Sequence, residues 1–310
     1  SEKPLTLTID EGKQLAAAAR ASDRITITGS ENRSKPNFLA ACEYVRNGRI
    51  GALETIRTYL PGGWSIRDRQ WLPEEVYDVE HNLTKAQPVP EGFDYDMWLG
   101  PAPDAPYHPA RCHWNFRWLF DYSGGNLTDW GAHILDIAQW GNGTELTGPV
   151  EIEGSARYPD DDVLCDNPLS WDTRMKYANG VELLFTGSGP GFPGVRHGVT
   201  FEGRDGWVWV NRGAIEAEPK SLLQEPFGPD AVRLPVSTLH QANFLECVRT
   251  RRKTISNIDV AVRSDTVCQL AWCAFHLQRK LRWDPARESF INDPAANRKL
   301  TRPLRAPWRL

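Results

Sequence analysis

The 310 residues are 40% hydrophobic and 25% charged, the balance of a chain that folds around its own core rather than one that stays disordered. A formal net charge of −4 offers no broad basic surface for nucleic acid or anionic membranes. No run approaches the ~18 apolar residues of a membrane span.

The first 48 residues read as α/β. Thr8 and Glu11 form a capping box that opens a helix through KQLAAAARA. ITITGS follows as a short strand, and a second helix runs from about Asn37 to Asn47, stopping at Gly48, a natural left-handed cap. Helix, strand, helix is the order found near the end of an open parallel sheet.

From about 50 to 236 the texture changes. ALETIRTYL, VEIEGSARY, SWDTRMKYA, GVELLFTG, GVTFEG and GWVWVN read as strands, with turn signals at Asn179-Gly180 and Arg204-Asp205-Gly206. A long insertion, about 61–145, separates the first strand from the others. GWVWVN carries bulky apolar groups on both faces, so its outer face is expected to be covered, most simply by a second subunit. The one G-x-G-x-x-G, Gly189-Pro190-Gly191-Phe192-Pro193-Gly194, contains two prolines and precedes no helix, so it is expected as a loop and not as a nucleotide site.

The last part is helical, through STLHQANFLECVRTRR and DVAVRSDTVCQLAWCAFHLQRKL. The tail DPAANRKLTRPLRAPWRL has no periodicity and is expected as an arm docked on its own subunit or a neighbour. The division is therefore 1–48, 49–282 and 283–310. Six scattered cysteines without a C-x-x-C pair read as reduced thiols, which favours the cytoplasm over the periplasm. The 13 tryptophans, many beside Arg, His or Asp, suit the apolar faces and hydroxyl rims of sugars, although about half of them should fill core and interfaces.

GGNLTDWGAHILDIAQW, residues 124–140, is the segment with most chemistry. Read as a helix beginning after the paired glycines, it sets Asp129, His133 and Asp136 at i, i+4 and i+7 on one stripe. Nearly everything else on it is apolar, so the helix should be buried and the polar stripe should line an enclosed cavity. Buried carboxylates beside a histidine suit acid–base work. A structural Asp–His hydrogen bond in the core is the plainer alternative.

Taken in order, EKP at 2–4, NGRIGALETIR, DYDMWLGPAP, the GGNLTDWGAHILDIAQW helix and the closing RPLRAPWRL make the chain resemble the glucose–fructose oxidoreductase, inositol dehydrogenase and rhizopine catabolism (Gfo/Idh/MocA) family over essentially its whole length. The resemblance implies a remnant of a Rossmann-type domain followed by a large, mostly antiparallel open sheet with helices on one face, an α/β (α+β) fold. It also implies NAD or NADP as cofactor, a sugar, glycoside or cyclitol as substrate, and a homo-oligomer formed through the open sheet. Lys3 matches the family's catalytic lysine, with Pro4 beside the nicotinamide, and Asp129 and His133 match its aspartate and histidine. Because EKP follows most of the cofactor domain in the family, roughly 100–150 residues of that domain are expected to be missing ahead of Ser1.

For the chemistry, His133 is the candidate base, oriented by Asp129, with Lys3 against the same hydroxyl. Whether Lys3 or His133 takes the proton stays open. Arg117 and His113 lead the candidate substrate contacts, with Arg111, Trp114, Tyr122, Trp130 and Arg33 behind them. No metal is assigned. An NAD-dependent glycosidase, a metal-dependent form using Asp129 and His133, and a non-redox carbohydrate-binding form are the alternatives.

Overall fold

The computed structural model describes residues 1–60, 86–159, 164–187 and 197–310, and within these the side chains of His113 and Trp114 are not described. The G-x-G-x-x-G segment at 189–194 lies outside the described residues.

Helix α1 spans Ile9–Ala21, and both halves of its capping box form: Thr8 accepts from the Glu11 N–H while the Glu11 carboxylate accepts from the Thr8 N–H. Helix α2, Pro36–Arg46, begins on proline, whose missing N–H costs nothing there, and the chain leaves it through Gly48 at φ +69°. ITITGS does not become a strand. Its polar backbone is satisfied piecemeal instead, Thr28 N–H by Ser256 O at 2.9 Å and Gly29 N–H by Ser1 O at 2.9 Å, and no described neighbour offers a continuous ladder.

Strand β1 (Leu53–Leu60) is followed by the short helices α3 (Tyr95–Leu99) and α4 (Asn126–Asp129), and then by α5 (Gly131–Asn142). Next come β2 (Glu151–Arg157), β3 (Ser170–Lys176), β4 (Glu182–Gly187), β5 (Gly198–Gly203), β6 (Gly206–Val210) and β7 (Ile215–Glu218). Helices α6 (His240–Thr250) and α7 (Ile258–Leu277) precede β8 (Leu281–Asp284), β9 (Ser289–Phe290) and α8 (Pro294–Asn297). All six strands expected in the middle of the chain are present, and both turn signals close antiparallel hairpins. The segment expected to begin the arm opens with the β8–β9 pair and α8, and irregular chain resumes at Thr301.

Among the described residues the strands form one sheet in the order β7-β6-β5-β1-β4-β3-β2-β8-β9, antiparallel except where β1 runs parallel to β4. One face is core. Ile56, Leu60, Leu183, Phe185, Val199, Phe201, Val208 and Val210 meet Phe38 and Ala41 of α2, the apolar side chains of α5, and Leu270 and Ala274 of α7. Each such side chain fully buried contributes about 1.5–3 kcal/mol. Alternation along β3 sends Trp171, Thr173 and Met175 inward and leaves Asp172, Arg174 and Lys176 exposed. The outer face there is laced by Arg174–Glu182 and Arg57–Glu202 pairs. Trp209 of β6 is fully buried within the single chain, packed where a Cβ on Gly198 would collide with its indole, so its burial needs no second subunit.

The helix expected over the 124–140 segment is interrupted at Trp130, where the His133 N–H turns to Trp130 O three residues back. All six cysteines are buried and free. No helix among the described residues is long and apolar enough to cross a membrane.

Candidate functional site

Lys3 sits in the first extended segment, which is tied down from two sides. The Ser1 ammonium donates to Ile27 O at 2.9 Å, while Thr6 is clamped by α7: Asp265 Oδ2 accepts from the Thr6 N–H at 3.0 Å and Gln269 Nε2 donates to Thr6 O at 2.8 Å. So held, Lys3 Nζ reaches the end of α4, donating to the Asp129 carboxylate and to Asp129 O, the latter at 2.8 Å. Arg117 Nε lies 3.9 Å from the other Asp129 oxygen, with its guanidinium over the Phe116 ring.

His133 lies in the first turn of α5, 8% exposed, and its Nδ1 is buried without a hydrogen-bond partner. The expected Asp129–His133 hydrogen bond is not formed, because Lys3 takes the carboxylate. Burial, with Lys3 and then Arg212 close by, pushes the imidazole down to about 3, so it is neutral at working pH. Trp130 fills the joint between α4 and α5, its ring 6.4 Å from that of His133 and 4.7 Å from that of His197, with the Arg212 guanidinium 5.3 Å over it. Asn32 bridges the group, donating to His133 O at 3.3 Å and accepting from Arg212 Nε at 3.0 Å. Burial, and then Arg212, also lowers the pKa of His197.

The other expected contacts separate. Arg33 does not face this cluster. It is 3% exposed, its fork closed bidentately on Asp136 at 2.7 and 2.9 Å, and its Nη1 is engaged by Glu145 and Ile255 O. Asp136, 1% exposed, also accepts from Ser264 at 2.7 Å, so the last member of the stripe belongs to a core ion pair. The expected stripe is therefore divided: the helix is interrupted at Trp130, with Asp129 turned to Lys3 and Asp136 to Arg33. Arg111 and Tyr122 belong to an aromatic wall. Tyr122 packs edge-on against Trp98 at 4.8 Å beside a pocket of about 420 Å³ lined by Phe93, Trp98, Cys112, Phe116 and Tyr122. Burial raises the Tyr122 hydroxyl pKa against the nearby Arg111 charge. The wall meets the Lys3 cluster at Phe116, under the Arg117 guanidinium. His113 and Trp114 lie in the 3-10 turn His113–Trp118, and their side chains fall outside the described set.

Asn32, His197 and Arg212 are the members that sequence reading missed. Asn32 stands next to a residue that was singled out for another reason. Arg212 sits in the β6–β7 turn, and β7 itself was not anticipated. Among the described residues no three His, Cys, Asp or Glu side chains converge as metal ligands, and both carboxylates of the stripe are committed to cations.

The described cluster is thus a buried imidazole nitrogen without a hydrogen-bond partner beside a lysine–aspartate pair. Residues 72–310 match the Gfo/Idh/MocA family description "Oxidoreductase family, C-terminal alpha/beta domain", and the chain belongs to that family. No curated protein matches. Solved structures share the fold. Aldose-aldose oxidoreductase from Caulobacter crescentus, complexed with glycerol, is 17% identical with a TM-score of 0.59, covering 91% of this chain and 70% of its own. The WlbA dehydrogenase from Bordetella pertussis, in complex with NADH and UDP-GlcNAcA, is 13% identical with a TM-score of 0.60, covering 92% and 71%. A putative myo-inositol dehydrogenase from Sinorhizobium meliloti is 16% identical with a TM-score of 0.54, covering 91% and 72%.

Proposed function

We propose that the chain carries the substrate side of an NAD(P)-linked oxidoreductase that oxidises a secondary hydroxyl of a sugar, glycoside or cyclitol. The observation that carries this reading is the unpartnered, buried Nδ1 of His133 beside the Lys3–Asp129 pair. A substrate hydroxyl between them gives Nδ1 the hydrogen bond it lacks and meets the Lys3 ammonium on its other side. Being neutral, His133 accepts the hydroxyl proton, and the developing alkoxide raises the proton affinity of the imidazole above its value in the empty site. Lys3, aimed by Asp129, stabilises the same alkoxide. A nicotinamide, when bound, would supply the hydride acceptor. Lys3 and Pro4 would hold that ring. Among the described residues no glycine-rich strand–turn–helix segment is assigned to the cofactor phosphates.

In this reading residues 1–48 serve the cofactor side, 49–282 bind substrate and carry any self-association through the outer sheet face, and 283–310 close the structure. The test is NAD(P) reduction with a panel of sugars and cyclitols. His133→Asn should lower kcat by about 10²-fold or more with little change in KM, and Lys3→Met should do likewise. Turnover unaltered in both variants would overturn the assignment.

A further inference from the structure

Thr6 lies in irregular chain that belongs to no strand, yet both of its main-chain groups are paired as they would be at a sheet edge. The partner is a helix. On α7, Asp265 Oδ2 accepts from the Thr6 N–H at 3.0 Å and from the Thr6 hydroxyl at 3.3 Å, while Gln269 Nε2, one turn on, donates to Thr6 O at 2.8 Å. Gln269 also donates to Asp265 Oδ2 at 3.1 Å, so the two side chains hold each other as one acceptor–donor unit. Asp265 is 2% exposed, and burial, with the Glu11 charge nearby, works against its ionised form, so packing alone does not account for a carboxyl there.

At the other end Ser1 is fixed in the same way, its nitrogen on Ile27 O and its carbonyl on the Gly29 N–H, both at 2.9 Å. Lys3 stands between these two anchors. Glu11 also holds the Leu7 and Thr8 N–H groups, but it does so from α1 itself and sets only the cap of that helix. The chain bends at Lys3 and Pro4, so the direction of the lysine is set by its flanks and not by a strand of its own. A one-residue slip at either anchor carries the chain about 3.3 Å, more than a hydrogen bond to Asp129 tolerates.

Building on the catalytic reading of Lys3 above, we propose that Asp265 and Gln269 are positioning residues: they anchor the 1–6 segment to α7, and that anchor keeps the Lys3 ammonium on Asp129.

Trace acetylation of the full chain, read by mass spectrometry at Lys3, at Lys13 of α1 and at the exposed Lys220, tests this. In the parent, Lys3 should label about tenfold or more slower than Lys220, since its amine reacts only when released from Asp129. Asp265→Ala and Gln269→Leu should each speed Lys3 about fivefold or more while Lys13 keeps its rate. Asp265→Asn, whose amide oxygen still accepts from the Thr6 N–H, should label like the parent. Lys3 unchanged in both Asp265→Ala and Gln269→Leu, Lys3 as fast as Lys220 in the parent, or Lys3 and Lys13 rising together overturns the proposal. In turnover assays Gln269→Leu should lower kcat in the parent and add nothing in the Lys3→Met background, and a further loss there would mean that the anchor acts other than through Lys3 and overturns the proposal too. Release of Lys3 by both variants, with turnover unaltered in Lys3→Met, would leave the anchor standing and sink the catalytic assignment alone.

Discussion

Arg33 and Asp136 illustrate how a polar residue in a chemically rich segment can belong to the core. With both side chains almost fully buried and the arginine fork closed on one carboxylate, removing either partner strands an uncompensated charge. Asp136→Asn should therefore cost about 3–5 kcal/mol in urea denaturation, far more than an exposed pair such as Arg252–Glu246. A loss below about 1 kcal/mol would mean that the pair is not the anchor its geometry implies. His133 leaves a second mark on stability. Its folded pKa is depressed to about 3 from 6.5, so the unfolded chain binds the proton first as pH falls. Stability from this residue is present above about pH 6.5 and drains away toward about pH 3, a slope that His133→Asn should remove from the pH profile. Lys3, Asp129 and His133 were legible because each lies within a contiguous motif. Asn32, His197 and Arg212 were not, since segments about 60 to 180 residues apart meet only when α5 is laid across the sheet.

Helix α5 crosses β5 so closely that a Cβ on Gly141 would stand 2.4 Å from the Phe201 ring. Gly141→Ala should cost about 1–3 kcal/mol through overpacking, although alanine is the better helix former, and a stabilised variant would contradict the contact. Helix α7 contributes differently. Its Asp265 clamps Thr6, three residues from Lys3, and burial pushes the carboxyl up to about 7 against the Thr6 hydrogen bonds. A raised acid pKa means that the folded state holds the proton. The stability it contributes is complete below about pH 4 and lost as pH rises through about 7. Asp265→Asn, compared with the parent from about pH 4 to about pH 8, should therefore gain in relative stability with rising pH, and parallel curves would refute the shift. The elements themselves were readable where alternation or helical periodicity ran long, as in β3 and α7. What escaped was short (β7, β8 and β9) or, as at ITITGS, depended on a neighbouring ladder that local propensity cannot report.

The closing arm reaches back over the molecule. Arg302 pairs with Glu11 of α1 and donates to Asp121 O at 2.8 Å, while Arg305 donates to Asp96 O and Gly100 O at the end of α3. The chain's last residues thus fasten its first helix to the segment that carries Arg111, Arg117 and Tyr122. The position of β1 has a different consequence. The earliest strand in the chain is hydrogen-bonded to β4 on one side and β5 on the other, with Thr55 opposite both Glu182 and Glu202. During synthesis it emerges with two open edges and waits for residues 182–187 and 198–203 before either is closed, the kind of distant pairing that slows folding and invites aggregation. The molecule is therefore assembled from its middle outward in space but not in time, and a nascent chain halted before β4 is a hydrophobic strand in search of any partner.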